Sequence, residues 1–573
     1  MINSRRDLPK FPHFNPKILL GLLVFTLAQI CAFAQTPVAP VANPCPRFAA
    51  GSVIHNPPSL FSSNGVLNVR FSYQTRTDSA GRTLFCFMTP NGTENPTLYV
   101  RPGDTLNVTV TNNTPATAIQ MMVNSPNCGA SAMTGSSMNI HYHGTNTAPT
   151  CHSDEVIKTL INSGQTFQYT LAFPTNEPPG LYWYHPHVHG IAEAALQGGA
   201  IGLIVVEGLH NIQPAVTGLR NRLLIIGDQH TVQGLVPGGA VPSWDLTVNS
   251  IAIDSNTDAN GNTTFTPARL HMKAGEKQLW RVSNSSADSI LDLQLLFDGV
   301  PQNLQIVALD GVPTGSQDGT RQGKIVNATH TLIPTAGRTE FIVSAPPSTV
   351  HLAQLITQNI NTGPIGDNDP TRPIATIQLI GSTTSDPDHD ADTDEFMPST
   401  TGSTWAQRFE GIIGATPAIH RTLYFSEVLS DPTNPLSPTN FFITVDGATP
   451  VLFDANNPPS IVTKQGSVEQ WTIQNRAGEN HEFHFHQIHF LVQSETNFVA
   501  NGTPVNTQEI GQFRDMVQVP FYNGAVDSRG NPLYPSVTAL FSFVGPDIGN
   551  FVYHCHILGH EDNGMMAIIQ VTP

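Results

Sequence analysis

An alternation of apolar and polar residues occurs three times along this chain, each time after a glycine. Gly103, Gly275 and Gly466 are each followed by large apolar residues five and seven positions later and by asparagine nine positions later. Because residues two apart on a β-strand point to the same face, this spacing predicts a turn that leads into a half-buried strand. The copies are 172 and 191 residues apart, a domain-sized period. Three related β-sandwich domains are the simplest interpretation, so an all-β fold is predicted.

The domain boundaries follow from this repeat and from one change in composition. We expect domain 1 at residues 45–208, domain 2 at 215–380 and domain 3 at 412–573. Residues 381–411 are polar and acidic and predict a flexible linker. A chain of 573 residues is too long for one ordinary domain, and its 46 glycines and 46 prolines favour a turn-rich β architecture.

The N-terminal segment is typical of a cleaved leader. Basic residues precede an apolar run at 18–28, and Ala32-Phe33-Ala34 forms a small-residue cleavage signal. We therefore expect a signal peptide at residues 1–34 and a protein exported to the periplasm or the extracellular space. The run is too short to favour a membrane-spanning helix, so no stable membrane anchor is expected after cleavage. Arg5-Arg6 leaves the twin-arginine export route open, although the general route is favoured.

The charge balance argues against one class of partner. The formal net charge is −17 at pH 7, and only 12% of the residues are charged. Nucleic-acid-binding proteins carry a basic face, and the sequence has none, so no nucleic acid partner is expected. A monomer is favoured, although the sequence does not decide the oligomeric state.

The cysteines predict a pair of disulfides and one metal ligand. Cleavage of the leader would leave five cysteines, one of which, Cys555, lies between two histidines. Four cysteines in an exported chain allow three disulfide pairings. The pairs nearest in sequence, Cys45–Cys86 and Cys128–Cys151, are favoured over the other pairings and over four buried thiols.

The histidines concentrate in four short segments, each with an HxH pair. In an extended strand the two histidines of a pair point to one face, and the residue between them points to the other. The thiolate of Cys555 would therefore face away from its flanking histidines, so one strand can serve two metal sites. His481 lies at an odd spacing from the third pair and so belongs with Cys555. The four pairs are His141/His143, His185/His187, His484/His486 and His554/His556.

Ligand chemistry then indicates the metal. Two imidazoles, a thiolate and a weak thioether describe a blue-copper centre, and His481, Cys555, His560 and Met565 supply that set. A cluster of imidazoles suits copper or zinc, but zinc has no redox chemistry and rarely takes more than four protein ligands. Domains 1 and 3 each supply two pairs and domain 2 supplies none, so the cluster should lie between domains 1 and 3.

The four segments resemble the copper signatures of the multicopper oxidases, the family of laccases, bilirubin oxidases, ascorbate oxidases and bacterial cuprous oxidases. The resemblance covers nearly all of the chain after the leader, and residues 554–566, HCHILGHEDNGMM, are its most specific part. It implies three consecutive cupredoxin-like Greek-key β-sandwich domains and four copper ions. Three departures from the family pattern are Tyr142 in place of the frequent Trp, Glu482 in place of the usual Pro, and Gln487-Ile488-His489 in place of Gly-His.

The same resemblance implies a role for each ligand. The type 1 copper would use His481, Cys555, His560 and axial Met565; the type 2 copper would use His141 and His484; the type 3 pair would use His143, His185, His187, His486, His554 and His556. By the same likeness, His481 is expected to be exposed and to receive electrons. Reducing dioxygen to water also consumes protons. Asp154, with Glu155 as its rival, and Glu561 resemble the family's acidic residues near the type 2 and type 3 coppers.

The implied activity is that of a laccase-like, copper-dependent oxidoreductase whose partners are a small reducing substrate and dioxygen. Phenols or aromatic amines would be oxidised one electron at a time, and dioxygen would be reduced to water. One alternative is a metal oxidase acting on Cu(I) or Fe(II), which a Met- or carboxylate-lined site next to His481 would favour. Another is a copper-binding electron carrier without turnover, although a carrier needs only the type 1 ligands. A copper nitrite reductase is disfavoured by the HCH segment and by the three-domain length.

Overall fold

The computed structural model describes residues 36–231, 241–318, 320, 322–381, 408–409 and 411–573. The expected leader at 1–34 and nearly all of the expected linker at 381–411 lie outside these residues. Val38–Pro573 form one compact unit, and the boundaries of the three domains stay a prediction. Among the described residues, no helix is long and apolar enough to cross a membrane.

The first β-sandwich follows the N-terminal segment. Its strands are β1 Ser59–Phe61, β2 Val66–Thr77, β3 Thr83–Met88, β4 Thr97–Val100, β5 Thr105–Asn112, β6 Ile119–Met122, β7 Cys128–Gly129, β8 Ala132–Thr134, β9 His141–His143, β10 Thr159–Leu160, β11 Thr166–Ala172, β12 Gly180–His185 and β13 Gly202–Val206. The sheets β1-β4-β13-β12-β9 and β11-β5-β2-β3 face each other across one core, in which Val69 of one sheet and Leu98 of the other are buried. Helix α1 (Ala192–Gln197) precedes β13, and helix α2 (Leu209–Ile212) and a 3-10 turn (Pro214–Val216) follow it.

The second β-sandwich has larger sheets. Its strands are β14 Arg220–His230, β15 Trp244–Val248, β16 Ile251–Ala252, β17 Asp254–Thr257, β18 Thr263–Thr266, β19 Ala268–Lys273, β20 Lys277–Asn284, β21 Leu291–Phe297, β22 Val300–Pro301, β23 Leu304–Leu309, β24 Val312–Pro313, β25 Val326–Ala328, β26 Thr331–Ile333, β27 Arg338–Ser344, β28 Ala353–Thr357 and β29 Arg372–Ile380. One sheet runs β16-β15-β14-β20-β27-β23-β24 and the other β19-β29-β28-β21-β22. Trp280 and Leu293 from the two sheets share one core.

The third β-sandwich carries the C-terminal ligands. Its strands are β30 Ile419–Leu429, β31 Thr439–Val445, β32 Ile461–Lys464, β33 Val468–Asn475, β34 His481–Phe485, β35 Phe490–Thr496, β36 Phe513–Arg514, β37 Met516–Val519, β38 Ser536–Ser542, β39 Gly549–Cys555 and β40 Met566–Thr572. A 3-10 turn (Val499–Asn501) follows β35, and helix α3 (Leu558–Asp562) follows β39. The sheets are β31-β30-β33-β38-β35-β36 and β32-β40-β39-β34-β37, and Trp471 packs against Tyr553 of the opposite sheet. The predicted all-β class is confirmed.

The predicted repeat is confirmed, and its asparagine has a structural cause. The three copies form β5, β20 and β33, each entered by a glycine with positive φ and ended by the buried asparagine. Each asparagine accepts the backbone N–H two residues ahead, which begins a turn, and donates its amide to backbone carbonyls of other segments. Those carbonyls are Ser136 and Ile161 for Asn112, Ser289, Ile333 and Pro334 for Asn284, and Glu479 and Val519 for Asn475.

Both favoured disulfides are present. Cys45 is bonded to Cys86, and Cys128 is bonded to Cys151. Cys555 is a buried free thiol. The second disulfide closes the loop that contains β9, and with it two of the candidate metal ligands.

Candidate metal centres

Four strands bring the histidine pairs together. In the first sandwich β9 and β12 are antiparallel neighbours, with His141 opposite His185. In the third sandwich β34 and β39 are antiparallel neighbours, with His484 opposite His554. Directly opposed residues of such strands point to the same face, so each sandwich presents a group of imidazoles on one side of its sheet. The parity argument from sequence correctly predicted this arrangement.

The thiolate site lies on the other face of β39. The Sγ atom of Cys555 is 3.7 Å from Nδ1 of His481 and 3.8 Å from Nδ1 of His560, and these two nitrogens are 3.0 Å apart. The backbone N–H of Glu482 donates to the sulfur at 3.3 Å. Met565 is buried, and its carbonyl accepts the N–H of Cys555. Two imidazole nitrogens and a sulfur therefore converge on one point within the apolar core of the third sandwich.

The remaining eight histidines form one cluster between the first and third sandwiches. Three of them form a triangle with ring-centroid separations of 5.1, 5.6 and 5.8 Å: His143, His185 and His556. Three others form a second triangle with separations of 4.9, 4.9 and 5.2 Å: His187, His486 and His554. The last two, His141 and His484, have ring centroids 5.9 Å apart. The tertiary structure therefore brings together all the histidines that the sequence singled out.

The cluster fits a set of bound metal ions. Burial lowers the pKa of each of these imidazoles, that of His187 to about 4, so the rings are neutral at pH 7 and carry free lone pairs. Buried polar atoms normally have a hydrogen-bond partner. Several ring nitrogens here have none within the described chain, namely Nε2 of His141, His185 and His484, Nδ1 of His187 and His486, and both nitrogens of His143 and His556. Metal coordination would satisfy one nitrogen of each of these rings.

Backbone carbonyls set the orientation of three rings. Nδ1 of His185 donates to the carbonyl of Pro186, Nδ1 of His484 to that of Asp515, and Nδ1 of His554 to that of Cys555. With Nδ1 occupied, Nε2 is the nitrogen left for a metal. Such a second hydrogen bond is the usual way in which a protein orients a ligating imidazole.

Asp154 lies against the cluster rather than on the surface. Its Oδ1 atom is 3.0 Å from Nδ1 of His141 and accepts the N–H of Tyr142, while its Oδ2 atom accepts Nε2 of Gln487 at 2.7 Å. Burial raises the pKa of Asp154 to about 8. The alternative residue, Glu155, instead accepts hydrogen bonds from the backbone N–H of Lys158 and the hydroxyl of Thr159. The structure therefore favours Asp154 of the two.

Glu561 is fully buried on α3. Its Oε1 atom is 3.3 Å from Nδ1 of His189, and burial raises its pKa to about 7. The side chain of His189 is 24% exposed, so the pair reaches from the interior toward solvent. His189 also lines a cavity that borders His187 of the cluster.

The expectation that His481 is exposed is wrong. It is 0% exposed, because Phe425 packs on its ring at 4.9 Å and Phe441 lies beside it. The imidazole of the thiolate site nearest to solvent is that of His560, whose side chain is 10% exposed. Phe441 stacks on the His560 ring at 4.3 Å.

Two carboxyl groups that the sequence reasoning missed flank this exposed edge. Oε2 of Glu479 is 3.5 Å from Nε2 of His560, and Glu479 is hydrogen-bonded to Glu427. Burial and the neighbouring carboxyl raise the pKa of Glu427 to about 8, and burial raises that of Glu479 to about 7. Glu479 precedes His481 by only two residues, and this closeness in sequence could have revealed it; Glu427 is distant in sequence and gave no signal.

Glu482 is turned away from this edge. It is fully buried, and its Oε2 atom accepts both the backbone N–H and the hydroxyl of Thr335 in the second sandwich. The carbonyl of Glu482 accepts the N–H of His556. This departure from the family pattern therefore joins the second sandwich to the ligand strand and does not line the approach of a substrate.

A buried ion pair supports the cluster from the second sandwich. Arg338 forms two hydrogen bonds with the carboxylate of Asp515, at 2.5 and 2.7 Å. Oδ1 of Asp515 is 3.6 Å from Nε2 of His143, and its backbone carbonyl holds His484. The second sandwich, which has no HxH pair, thus helps to position ligands of both other sandwiches.

Comparisons with known proteins agree with this arrangement. Two multicopper oxidase family models match residues 130–210 and 427–573, and these ranges contain all the candidate ligands. The chain is 24% identical over 409 residues to the multicopper oxidase mco of Staphylococcus aureus, covering 70% of each protein. The McoA multicopper oxidase of Aquifex aeolicus superposes with a TM-score of 0.62 at 18% identity, over 92% of this chain and 100% of that one. A multicopper oxidase from Campylobacter jejuni, described as a metallo-oxidase, superposes with a TM-score of 0.59 at 18% identity, over 93% and 99%.

These matches, the cupredoxin-type sandwiches and the histidine-cysteine centres define a class of protein. By these matches the chain contains multicopper oxidase domains at residues 130–210 and 427–573. It is a copper-dependent oxidoreductase that uses dioxygen as acceptor and a small molecule as donor.

Proposed function

We propose that this chain holds four copper ions and couples the one-electron oxidation of a small donor to the four-electron reduction of dioxygen to water. The copper ions, when bound, would supply the redox chemistry. The proposed ligands are His481, Cys555, His560 and Met565 for type 1 copper, His141 and His484 for type 2 copper, and His143, His185, His187, His486, His554 and His556 for the type 3 pair. The two triangles of rings support the last assignment.

One observation carries the proposal. Cys555 faces the thiolate site, while His554 and His556, its covalent neighbours, face the imidazole cluster. Electrons collected at the sulfur therefore have a path of a few covalent bonds to the cluster. An electron carrier without turnover would have no use for eight further buried imidazoles.

Oxygen uptake by the copper-loaded protein, measured with its visible spectrum and with peroxide detection, tests the proposal. Blue absorbance with donor-driven uptake and no peroxide is the expected result. Failure of a fully copper-loaded protein to turn blue would contradict the role of Cys555. Peroxide as the sole product would contradict the three-copper cluster.

Asp154 and Glu561 are proposed to deliver protons to the cluster. Asp154 contacts His141 directly, and Glu561 together with His189 reaches toward solvent. We expect Asp154→Asn to slow reoxidation of the reduced protein by dioxygen by about tenfold or more while leaving its reduction by donor unchanged. Glu155→Gln is the matched control, and equal effects of the two substitutions would remove Asp154 from this role.

The surroundings of His560 favour a metal ion as donor. Glu479 places a carboxyl oxygen 3.5 Å from the ring of His560, the type 1 imidazole nearest to solvent, and Glu427 is hydrogen-bonded to Glu479. Carboxylate and imidazole ligands suit Fe(II) better than Cu(I), which prefers thioether and thiolate sulfur. A carboxylate-lined site beside the type 1 ligands is the feature that we expect of a metal oxidase rather than a laccase. Here the carboxyl groups adjoin His560 and not His481.

A laccase-like reaction with phenols or aromatic amines is the second candidate. Ile365 is 62% exposed and lies near Gly478, which precedes Glu479, so an apolar side chain adjoins the carboxyl groups. An aromatic ring could pack there, and Glu479 could accept the proton that a phenol loses on oxidation.

The Glu479→Gln variant discriminates between the two donors. If Fe(II) is the donor, KM for Fe(II) should rise about tenfold while KM for a phenol changes by less than about twofold, since only the cation displaces the proton held by the Glu427–Glu479 pair and interacts with its negative charge. Glu207→Gln, in a surface ion pair of the first sandwich, is the control. A larger loss with the phenol would assign the laccase-like reaction. Equal losses with a weakened blue band would mean that Glu479 only positions His560.

We also propose that the leader at 1–34 directs export and that the mature chain is a monomer of the three domains given above. The two disulfides support an extracellular or periplasmic site. N-terminal sequencing of the mature protein should begin at Gln35, and retention of Met1 would contradict a cleaved leader. Limited proteolysis should cut first within 381–411.

A further inference from the structure

A cavity of about 470 Å³ lies where the N-terminal segment, the end of α1 and the start of the second sandwich meet. Its lining includes the apolar residues Phe48, Pro57 and Ile201 and the amide side chains of Gln197 and Gln229. Cavities of this size commonly hold small molecules of one or two rings. The thiolate site and the imidazole cluster contribute no lining residue.

Most polar groups of this cavity are already paired within the protein. Arg47 donates to Glu94 and to the carbonyls of Pro46 and Gly198. The carboxylate of Asp228 accepts three backbone N–H groups from residues 287–289. Asn249 accepts one backbone N–H and donates to two carbonyls. The cavity therefore offers no unpaired full charge from Arg47 or Asp228 to a ligand.

Two amide atoms are left over. Nε2 of Gln197 donates to Glu193 and Asp288, which fixes the orientation of its amide and leaves Oε1 as an acceptor without a partner. Nε2 of Gln229 is a donor without a partner in the described chain. These side chains are only 7% and 4% exposed. A buried donor or acceptor without a partner is destabilising, so such atoms point to a ligand.

We propose that this cavity binds a small uncharged ring compound that carries one hydrogen-bond donor and one acceptor, such as an aromatic carboxamide or a lactam. The ring would pack on the proline and isoleucine walls. Its N–H would donate to Oε1 of Gln197, and its carbonyl would accept Nε2 of Gln229. A charged ligand would lose its hydration without gaining an ion pair, so the neutral class is preferred. The proposal is independent of the copper chemistry.

Benzamide is the probe for the test, with benzoate as its charged counterpart. Calorimetry on the copper-loaded protein should show one benzamide per chain with a Kd of about 1 mM or lower, and at least tenfold weaker binding of benzoate. Absence of saturable benzamide binding at about ten times that concentration overturns the proposal, as does equal binding of benzoate. Oxygen uptake, measured in parallel, reports on the copper sites separately.

Gln229→Leu is the decisive variant. It removes the unpaired donor, so benzamide binding should weaken about tenfold while the melting temperature stays the same or rises, because an apolar group replaces an unsatisfied one. Gln378→Leu, at an exposed position of β29, is the matched control. If Gln229→Leu binds benzamide as tightly as the unaltered protein, or if Gln378→Leu weakens it equally, the assignment of the site is wrong.

Discussion

Removal of the Cys128–Cys151 disulfide should loosen the imidazole cluster more than the length of the loop that it closes would suggest. The bond closes a loop that contains His141 and His143, and Asp154, which holds His141, follows Cys151 by three residues. The disulfide therefore fastens both ends of the segment that presents two proposed ligands. The double variant Cys128→Ala with Cys151→Ala opens this loop without introducing a free thiol.

The magnitude follows from the loop lengths. For Cys128–Cys151, with a sequence separation of 23, the chain-entropy relation gives a loss of about 3.4 kcal/mol; for Cys45–Cys86, with a separation of 41, it gives about 3.9 kcal/mol. For a domain of the size predicted for domain 1, residues 45–208, a loss of about 3.4 kcal/mol corresponds to a fall in melting temperature of roughly 7–14 °C. By loop entropy alone, the Cys45–Cys86 variant should be the less stable of the two.

Copper retention should show the opposite order, because only the shorter loop contains ligands. Both double variants are loaded with copper, challenged with a chelator, and assayed for copper per chain, blue absorbance and melting temperature. We expect the Cys128/Cys151 variant to lose cluster copper first while its blue band persists, and the Cys45/Cys86 variant to retain the cluster. Equal copper loss in the two variants, or full retention in the first, would refute the argument that the disulfide acts locally.

Three further predictions concern buried contacts. Gly144→Ala should be strongly destabilising and should lower copper content, because a Cβ at this positive φ meets Arg338 of the buried ion pair. Breaking that pair costs about 3–5 kcal/mol, and the backbone strain adds about 1–2 kcal/mol. Gly164→Ala, with open space around it, is the control and should show only the strain in a denaturation curve. Burial raises the pKa of Glu177 to about 7, so the folded chain keeps a proton there that the unfolded chain releases, and stability falls as pH rises from about 4.5 to 7. Glu177→Gln should remove up to about 3 kcal/mol of that fall, and parallel pH–stability curves would contradict this. Thr335→Val should cost about 1–3 kcal/mol in unfolding free energy by removing a hydroxyl bond to a buried carboxylate, whereas Thr335→Ser should be nearly silent.

The candidate copper ligands could be grouped from sequence because the rule that groups them is local. Strand alternation decides which residues share a face, whatever the rest of the fold does. The separation of Cys555 from its flanking histidines, and the partnership of His481 with Cys555, needed only the spacing within two short segments. The repeated asparagine is of the same kind, since the turn that it begins is completed two residues later.

By itself, then, the sequence predicted the all-β class, the repeat, the grouping of the candidate ligands and the favoured disulfide pairs, all through short-range spacing and residue chemistry. The tertiary structure alone decided that His481 is covered by Phe425, that Glu427 and Glu479 meet at His560, and that Arg338 supports ligands of two other sandwiches. Apart from Glu479, these contacts join residues that are far apart in the chain. Exposure and charge pairing depend on what packs against a side chain, and no local pattern encodes that neighbour.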